Sequence, residues 1–271
     1  MVDKLRKYMT VSEIDATGIK GPHEKELEDI SIAKHALFIN LEMEKLKKIV
    51  EEDIGGIINN IGFSEDWAIN IEMFPEVNIH IAYSYFGDEF GDGIEAEFKF
   101  YFSGNRMFLV PGEDSATYID IIMGFIERKL KGLESFEKNF NTKTELMKKV
   151  LVQRSEPFAY LKENDKNELA SFLGAEVSKI VNGWSIKKEV FPNILIEILW
   201  DESIGLDIKF SGGKLSQNMS SYHIEFIGIF LLNHILRFIT LNNLDKNLPD
   251  ICYIMFSRYY TKLKNWEHRR K

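Results

Sequence analysis

Cysteine is almost missing from this chain. Cys252 is the single cysteine among 271 residues, so an internal disulfide and a cysteine-rich zinc or iron–sulfur site are both excluded. Such cysteine usage is typical of a cytoplasmic protein. No obvious base lies beside Cys252 in the sequence, and its segment has a helical pattern. We therefore interpret Cys252 as a small apolar core residue rather than a nucleophile.

Long apolar runs are also scarce. Residues 1–15 have no apolar stretch behind their charges, so they do not resemble a signal peptide. The most apolar run, 226–241, is too short for a membrane span and contains Asn233, His234 and Arg237. We expect this run to be a core helix, and we expect a cytoplasmic protein that makes no membrane contact.

Positive charge is scarce in the first half of the chain. Residues 1–131 carry 14 Lys and Arg against 25 Asp and Glu, a balance of −11, whereas residues 132–271 carry 20 against 17, a balance of +3. An acidic surface repels phosphate, so a nucleic-acid partner is not expected there. The basic tail, 258–271, is either a solvated terminus or a contact for an anionic partner.

Short motifs of known catalytic chemistry are missing too. The sequence contains no H-E-x-x-H, no G-x-S-x-G, no phosphate-binding P-loop and no dinucleotide-binding G-x-G-x-x-G after a strand. The cofactor therefore stays unknown. His223 and His234 are eleven positions apart, about 16 Å along a helix, too far to chelate one metal alone. His80 lies in a strand pattern and is interpreted as a structural histidine.

What the sequence does contain is a repeat. "WAINIEMFP" at 67–75 is matched by "WSIKKEVFP" at 184–192, and "FSG" at 102–104 is matched by "FSG" at 210–212. The two matches keep the same order and the same alternation of apolar residues. We infer a tandem duplication of one folding unit.

Each copy has the pattern of an α-β-β-β-β-α unit, so the predicted fold class is α+β. Apolar residues at helical spacing precede each tryptophan, over 30–62 in the first copy, where they include Ile57 and Ile58, and over 164–181 in the second, which includes Val177. Three alternating segments follow, then a tight turn at Ser-Gly and a short fourth strand. Helices that begin near Glu113 and at Ser220 or Ser221 close the units. We expect an antiparallel meander with helices on one face.

The domain boundaries follow from this repeat. Residues 1–132 form the first repeat, 133–157 a charged and partly helical linker, and 158–271 the second repeat. A single additional helix is expected over 249–264, because this segment opens with Pro and Asp.

The first copy carries a nine-residue acidic insertion that the second lacks. Its acids and aromatic residues are Phe86, Asp88, Glu89, Phe90, Asp92, Glu95 and Glu97. Three interpretations stay open: a solvated hairpin loop, a recognition loop, or a cation site. For a recognition loop, the binding residues are Phe86, Asp88, Glu89, Phe90 and Asp92. For a metal site, the ligands are Asp88, Asp92, Glu113 and Asp114. Glu113 and Asp114 also suit the N-terminus of a helix.

The motifs of the first copy resemble a prokaryotic family known only as a domain of unknown function. Phe74-Pro75, Gly87-Asp88-Glu89-Phe90 and Pro111-x-Glu113-Asp114 are similar to its F-P, G-D-E-x-F and L-P-x-E-D patterns. The match covers mainly 65–131. The second copy, over 184–240, keeps Phe191-Pro192 and a Leu-Leu-x-His segment but lacks G-D-E. The resemblance implies a soluble cytoplasmic protein and no particular activity.

These observations predict a non-catalytic binding or accessory protein. Its partner, a protein or a second copy of this chain, would use the acidic aromatic loop or a groove between the repeats. The alternative is a metal-assisted hydrolase that uses carboxylates of the first repeat. Whether the protein is an enzyme stays open at this stage.

Overall fold

The computed structural model describes residues 7–16, 20–87, 95–133, 140, 142–214 and 219–266. The chain forms two compact units. The first comprises Met1–Leu133 together with Ser257–Leu263, and the second comprises Glu134–Phe256 together with Lys264–Lys271.

The first unit is a four-stranded antiparallel sheet with helices packed on it, and its strand order is β1-β2-β3-β4. Its elements are α1 (Val11–Asp15), α2 (Pro22–Lys34), α3 (Met43–Lys48), β1 (Ile57–Asn59), β2 (Trp67–Phe74), β3 (Val77–Tyr85), β4 (Ala96–Ser103) and α4 (Gly112–Leu130). Short 3₁₀ helices lie at His35–Phe38 and Met107–Leu109, and a π-helical turn, Ile49–Ile54, continues α3.

The second unit repeats this plan with strand order β5-β6-β7-β8. Its elements are α5 (Glu145–Ser155), α6 (Lys166–Leu173), β5 (Glu176–Ile180), β6 (Gly183–Phe191), β7 (Ile194–Asp201), β8 (Gly205–Ser211), α7 (Ser221–Leu241) and α8 (Ile251–Ile254), with 3₁₀ helices at Glu156–Tyr160 and Glu163–Asp165. The predicted α+β fold with two antiparallel meanders is confirmed.

Alternation of apolar residues explains why one face of each sheet is buried. In β3, Ile79, Ile81 and Tyr83 point to the helices and are at most 3% exposed. The first-unit helices α2 and α4 pack on each other, and α2 also packs on β4. The helices cover one face, as the sequence predicts.

The two copies share the same hairpin turn after the first long strand. Pro75 and Pro192 occupy the first turn position, where a fixed φ near −65° is suitable. Glu76 and Asn193 occupy the second position with φ of 64° and 62°. Proline followed by a residue with positive φ is the pattern of a type II turn. The Phe-Pro of the repeated motif therefore leads into a turn in both units.

A matched glutamate closes each of these turns. Glu72 Oε1 accepts the backbone N–H of Glu76 at 3.2 Å, and Glu189 Oε1 accepts the backbone N–H of Asn193 at 2.7 Å. The strand register shifts immediately before both turns. The duplication therefore preserved a side-chain contact as well as the path of the backbone.

In each unit, a glycine directly after the last strand, β4 or β8, lies close to the same turn. Gly104 and Gly212 have φ of 105° and 131°, a region that L residues rarely adopt. A Cβ atom at either position would collide with the carbonyl oxygen of Glu76 or of Asn193. The glycine of the repeated Ser-Gly therefore allows two backbone segments to lie in close contact.

The fourth strand of each sheet differs from the prediction. In the first unit, Gly104 is followed by a turn and by the 3₁₀ helix Met107–Leu109, so the predicted strand after Gly104 is wrong. The matching segment of the second unit, 215–218, lies outside the described residues. The fourth strands are β1 and β5, which precede the tryptophans. Ile57, Ile58 and Val177 therefore belong to strands and not to the predicted helices.

The segment between the repeats is partly helical, as predicted, whereas the C-terminal segment differs from the prediction. Residues Glu145–Ser155 of the predicted linker form α5, which packs on β8 and α7 within the second unit. The expected single helix over 249–264 is two helices, α8 and α9 (Arg258–Lys264). Within the first unit, the backbone N–H of Ser257 donates to the Leu109 carbonyl at 3.0 Å, and the ring of Tyr260 lies 5.5 Å from that of Phe108.

Helix α7 is the core helix that the apolar run predicts. It is the one helix in the described part of the chain that is long and apolar enough to cross a membrane, and 89% of its most apolar window is buried. The Ser220 hydroxyl caps it by accepting the backbone N–H of His223 at 3.0 Å. Arg237 is fully buried and donates through Nε to the Met255 carbonyl at 2.5 Å.

Candidate functional site

The predicted acidic loop is described only at its base. The backbone N–H groups of Phe86 and Gly87 donate to the Glu95 carbonyl at 2.9 and 3.1 Å, so the two arms pair directly after β3 and before β4. Phe86 is half-buried and has further contacts of its own. Among the other predicted binding residues, Asp88, Glu89, Phe90 and Asp92 lie outside the described residues.

The other two predicted metal ligands begin α4. Glu113 is exposed, whereas Asp114 is buried and already engaged by other groups. The N-terminus of the helix is capped from elsewhere, because Asp15 Oδ1 accepts the N–H of Gly112 at 3.2 Å. A Cβ atom at Gly112 would lie 2.5 Å from that carboxylate oxygen, which explains the glycine. The sequence pattern did not identify Asp15.

The described residues contain no group of three or more His, Cys, Asp or Glu side chains arranged to hold a metal ion. Two of the four predicted ligands, Asp88 and Asp92, fall outside that part of the chain. The metal site therefore stays a prediction.

A cleft opens between α2 and β4 of the first unit, next to the base of the acidic loop. Its volume is about 540 Å³, which lies within the range of ligand pockets. Its lining combines an apolar floor with charged walls and comprises Thr10, Val11, Lys20, Glu24, Leu27, Glu28, Ser31, Ile32, His35 and residues 96–101.

The charges of this cleft are largely paired within it. Lys20 forms an ion pair with Glu28, and Lys99 forms one with Glu97 at 2.6 Å. Glu24 accepts a hydrogen bond from the Ser12 hydroxyl. These side chains comprise three carboxylates and two ammonium groups, so the walls are on balance acidic.

The edge of the sheet faces this cleft. Phe98 donates its N–H to the Ser31 hydroxyl at 2.8 Å, and Phe102 exchanges two backbone hydrogen bonds of 2.8 Å with Met9. Along an edge strand, every second residue directs its backbone N–H and C=O away from the neighbouring strand. Phe100 lies between Phe98 and Phe102, so its N–H and C=O also face outward, into the cleft.

A row of polar side chains crosses the opposite face of the same sheet. His80 of β3 is hydrogen-bonded at both ring nitrogens: Nδ1 lies 2.5 Å from Asn70 Oδ1, and Nε2 lies 2.7 Å from Ser103 Oγ. Asn70 is directly opposite His80 on β2, and Ser103 is a diagonal neighbour on β4. Asn70 Nδ2 continues the row to Asn59 Oδ1 of β1 at 2.5 Å.

Aromatic rings cover this row. The Tyr8 ring lies edge-on to His80 at 5.0 Å, and Phe63 packs between Tyr8 and Tyr101, stacking on the latter at 4.4 Å. His80 is only 8% exposed as a result. This burial, together with the nearby Lys7 ammonium, lowers the pKa of His80 to about 4, so the imidazole is neutral near pH 7.

The sequence pattern predicts a structural His80 but does not identify its partners. The available signal was period two: Asn70, His80 and Ser103 fall on the outward positions of three neighbouring strands. The same positions of the second copy hold Lys187, Glu197 and Ser211, an ordinary surface pattern.

Comparison with known proteins adds no relative. No family model, no curated protein and no solved structure matches the chain. The resemblance to a domain of unknown function therefore stays a prediction.

Proposed function

We propose that the first unit is a binding module that accepts an extended, basic peptide segment of a protein partner in the cleft between α2 and β4. The observation that carries the proposal is the outward-facing backbone of Phe100. Its edge neighbours Phe98 and Phe102 already have partners in Ser31 and Met9. An added peptide strand would supply the same kind of hydrogen bond to Phe100.

The charge and shape of the cleft support a basic segment. Glu24, Glu28 and Glu97 outnumber the two lysines of the walls, and Leu27 and Phe98 offer an apolar floor. The cleft also adjoins Glu95, at the base of the acidic loop. A partner bound in the cleft would therefore lie beside the predicted recognition loop, whose described member is Phe86.

The test begins with selection of binders from a heptapeptide display library on the intact protein. The affinity of each selected peptide is then measured for two single variants. Ile32 is 60% exposed and lines the cleft, whereas Ile57 is 55% exposed on the other edge strand of the same sheet. Ile32→Arg should weaken binding at least tenfold, because it adds a bulky cation to the acidic wall. The control Ile57→Arg should bind like the parent.

Amide hydrogen exchange provides the second measurement. A bound peptide strand should slow exchange of the Phe100 N–H, since that proton would enter a ladder hydrogen bond. The proposal is wrong if no peptide is selected, or if the selected peptides bind equally to Ile32→Arg and leave the Phe100 amide unprotected.

A further inference from the structure

The hydrogen bonds of the polar row fix the direction in which its protons point. Asn70 Nδ2 donates to Asn59 Oδ1 at 2.5 Å and to the Ala68 carbonyl at 3.0 Å. The amide NH₂ is therefore occupied, and Oδ1 is the atom that faces His80. Because Oδ1 only accepts, His80 carries its proton on Nδ1.

This tautomer leaves the Nε2 lone pair of His80 directed at Ser103. The hydroxyl of Ser103 lies 2.7 Å away and donates to it. A hydroxyl beside a neutral imidazole whose far nitrogen is held by a third group is the arrangement of an activated nucleophile. Ser103 is half-exposed at the end of β4, whereas His80 is buried.

A further asparagine faces Ser103 across the β3–β4 pair. Asn78 is directly opposite Ser103 in the β3–β4 register, on the same face of the sheet. A Cβ atom at residue 104 would approach Asn78 Nδ2 to 3.1 Å, so Gly104 leaves space for that amide. An Asn NH₂ next to a nucleophile can stabilise a negatively charged oxygen.

We infer that Ser103, His80 and Asn70 form a nucleophilic acyl-transfer site that cleaves small carboxylic esters. This site uses the outer face of the sheet and is independent of the peptide cleft. Ser103 is the nucleophile, His80 the general base and acid, and Asn70 a positioning residue. Asn78 supplies a hydrogen bond to the developing oxyanion.

The reaction balances with water as the only co-reactant. Ser103 Oγ bonds to the ester carbonyl carbon while its proton moves to His80 Nε2. The C–O bond to the leaving alcohol then breaks, and Nε2 returns the proton to that oxygen. Water attacks the acyl-serine by the same route, so one ester and one water yield one carboxylic acid and one alcohol, and Ser103 is regenerated.

The second unit provides a matched internal control. Ser211 occupies the position of Ser103 on β8, but the residue at the position of His80 is Glu197, which forms an ion pair with Lys187 at 3.4 Å. Without an imidazole lone pair, Ser211 has no comparable base.

The test uses a fluorophosphonate probe on the full chain, with peptide mapping by mass spectrometry, and p-nitrophenyl acetate as the ester. We expect labelling at Ser103, no labelling at Ser211, and loss of both labelling and hydrolysis in Ser103→Ala. Ser211→Ala should match the parent. His80→Gln should slow labelling about 100-fold, and hydrogen exchange of β3 and β4 checks that this variant is folded.

The role of Asn70 is tested by its pH profile. Groups that titrate or carry charge on the elements packed around the ring are Lys7, Tyr8, Glu65, Glu72 and Tyr101. Asn70→Asp places a carboxylate beside His80 Nδ1, so the decrease of the labelling rate in acid should begin at a higher pH than in the parent. Asn70→Ala should instead lower the labelling rate at every pH. Absence of labelling at Ser103, or equal labelling of Ser103 and Ser211, would overturn the inference.

Discussion

The two units use the same backbone to hold two different sets of polar residues. In the first, Asn70, His80 and Ser103 form a covered chain of hydrogen bonds. In the second, Lys187 and Glu197 form an ion pair whose side chains are 54% and 29% exposed. The register of the strands is the same in both. The difference between the ordinary sheet surface of the second unit and the candidate site of the first therefore lies in the side chains themselves and in the rings of Tyr8 and Phe63, which pack over the polar row.

The turn shared by the units gives the largest expected effect. Gly104→Ala and Gly212→Ala should each destabilise their own unit by about 2–4 kcal/mol, because φ is positive and the new Cβ meets a backbone carbonyl. Unit-resolved hydrogen exchange measures the loss. The control is Gly213→Ala, where a Cβ has open space and a normal φ. A loss in only one unit would show that the turns are not equivalent.

Acid should destabilise the first unit through His80. The folded pKa is about 4, below the ordinary 6.5, so the unfolded state takes up the proton first as pH falls. The contribution of His80 is complete above about pH 6.5 and is lost between that pH and about 4, a decrease of about 2–3 kcal/mol.

Urea denaturation across this range, followed by hydrogen exchange in β2–β4, measures the pH dependence. His80→Gln should remove this part of it. If the stability of the variant depends on pH as steeply as that of the parent, the assignment to His80 is wrong.

Substitution of glycine by alanine should change stability in opposite directions in α4 and α7, the long helices that follow the two sheets. A Cβ at Gly124 of α4 meets nothing within 4 Å, so Gly124→Ala should stabilise the first unit by about 0.5–1 kcal/mol. A Cβ at Gly228 of α7 would lie 2.6 Å from Ile208 Cδ1, so Gly228→Ala should destabilise the second unit by about 1 kcal/mol. Chemical denaturation of each variant measures both, and a gain at Gly228 would mean that β8 moves aside without cost.

The smallest expected effect is in the polar pair of the second unit. Lys187→Ala should change stability by no more than about 0.5 kcal/mol, since exposed ion pairs contribute little. The measurement is the urea midpoint at low and high salt. A loss as large as the pH-dependent contribution of His80, about 2–3 kcal/mol, would show that both polar rows are structural in the same way.

The internal repeat made much of the fold predictable. Trp67 and Trp184 identify corresponding strands, and the matched Phe-Pro and Ser-Gly segments fall at the same turns. The spacing of apolar residues wrongly predicts helix for the short strands β1 and β5. In the first copy, Ile57 and Ile58 continue the helical spacing of the preceding residues. The three residues of β1 and the five of β5 are too few for period two to outweigh a neighbouring helix.

The candidate sites were less predictable than the fold. Asp15 caps α4 although it is 97 residues from Gly112, and Ser31 binds the edge strand at Phe98, 67 residues away. Such partners are separated by whole elements, so no local spacing identifies them. The acidic insertion stands out by its composition alone, whereas Asn70 and Ser103 become neighbours of His80 only when the strands are in register.

The sequence by itself determined the duplication, the α+β class and the position of the apolar core helix, because these depend on periodicity and on internal similarity. Tertiary structure alone decided which polar groups meet. His80 becomes a neutral, doubly hydrogen-bonded imidazole only when three strands align Asn70 and Ser103 around it and aromatic rings exclude water. Both the alignment and the desolvation are properties of packing between residues far apart in the chain.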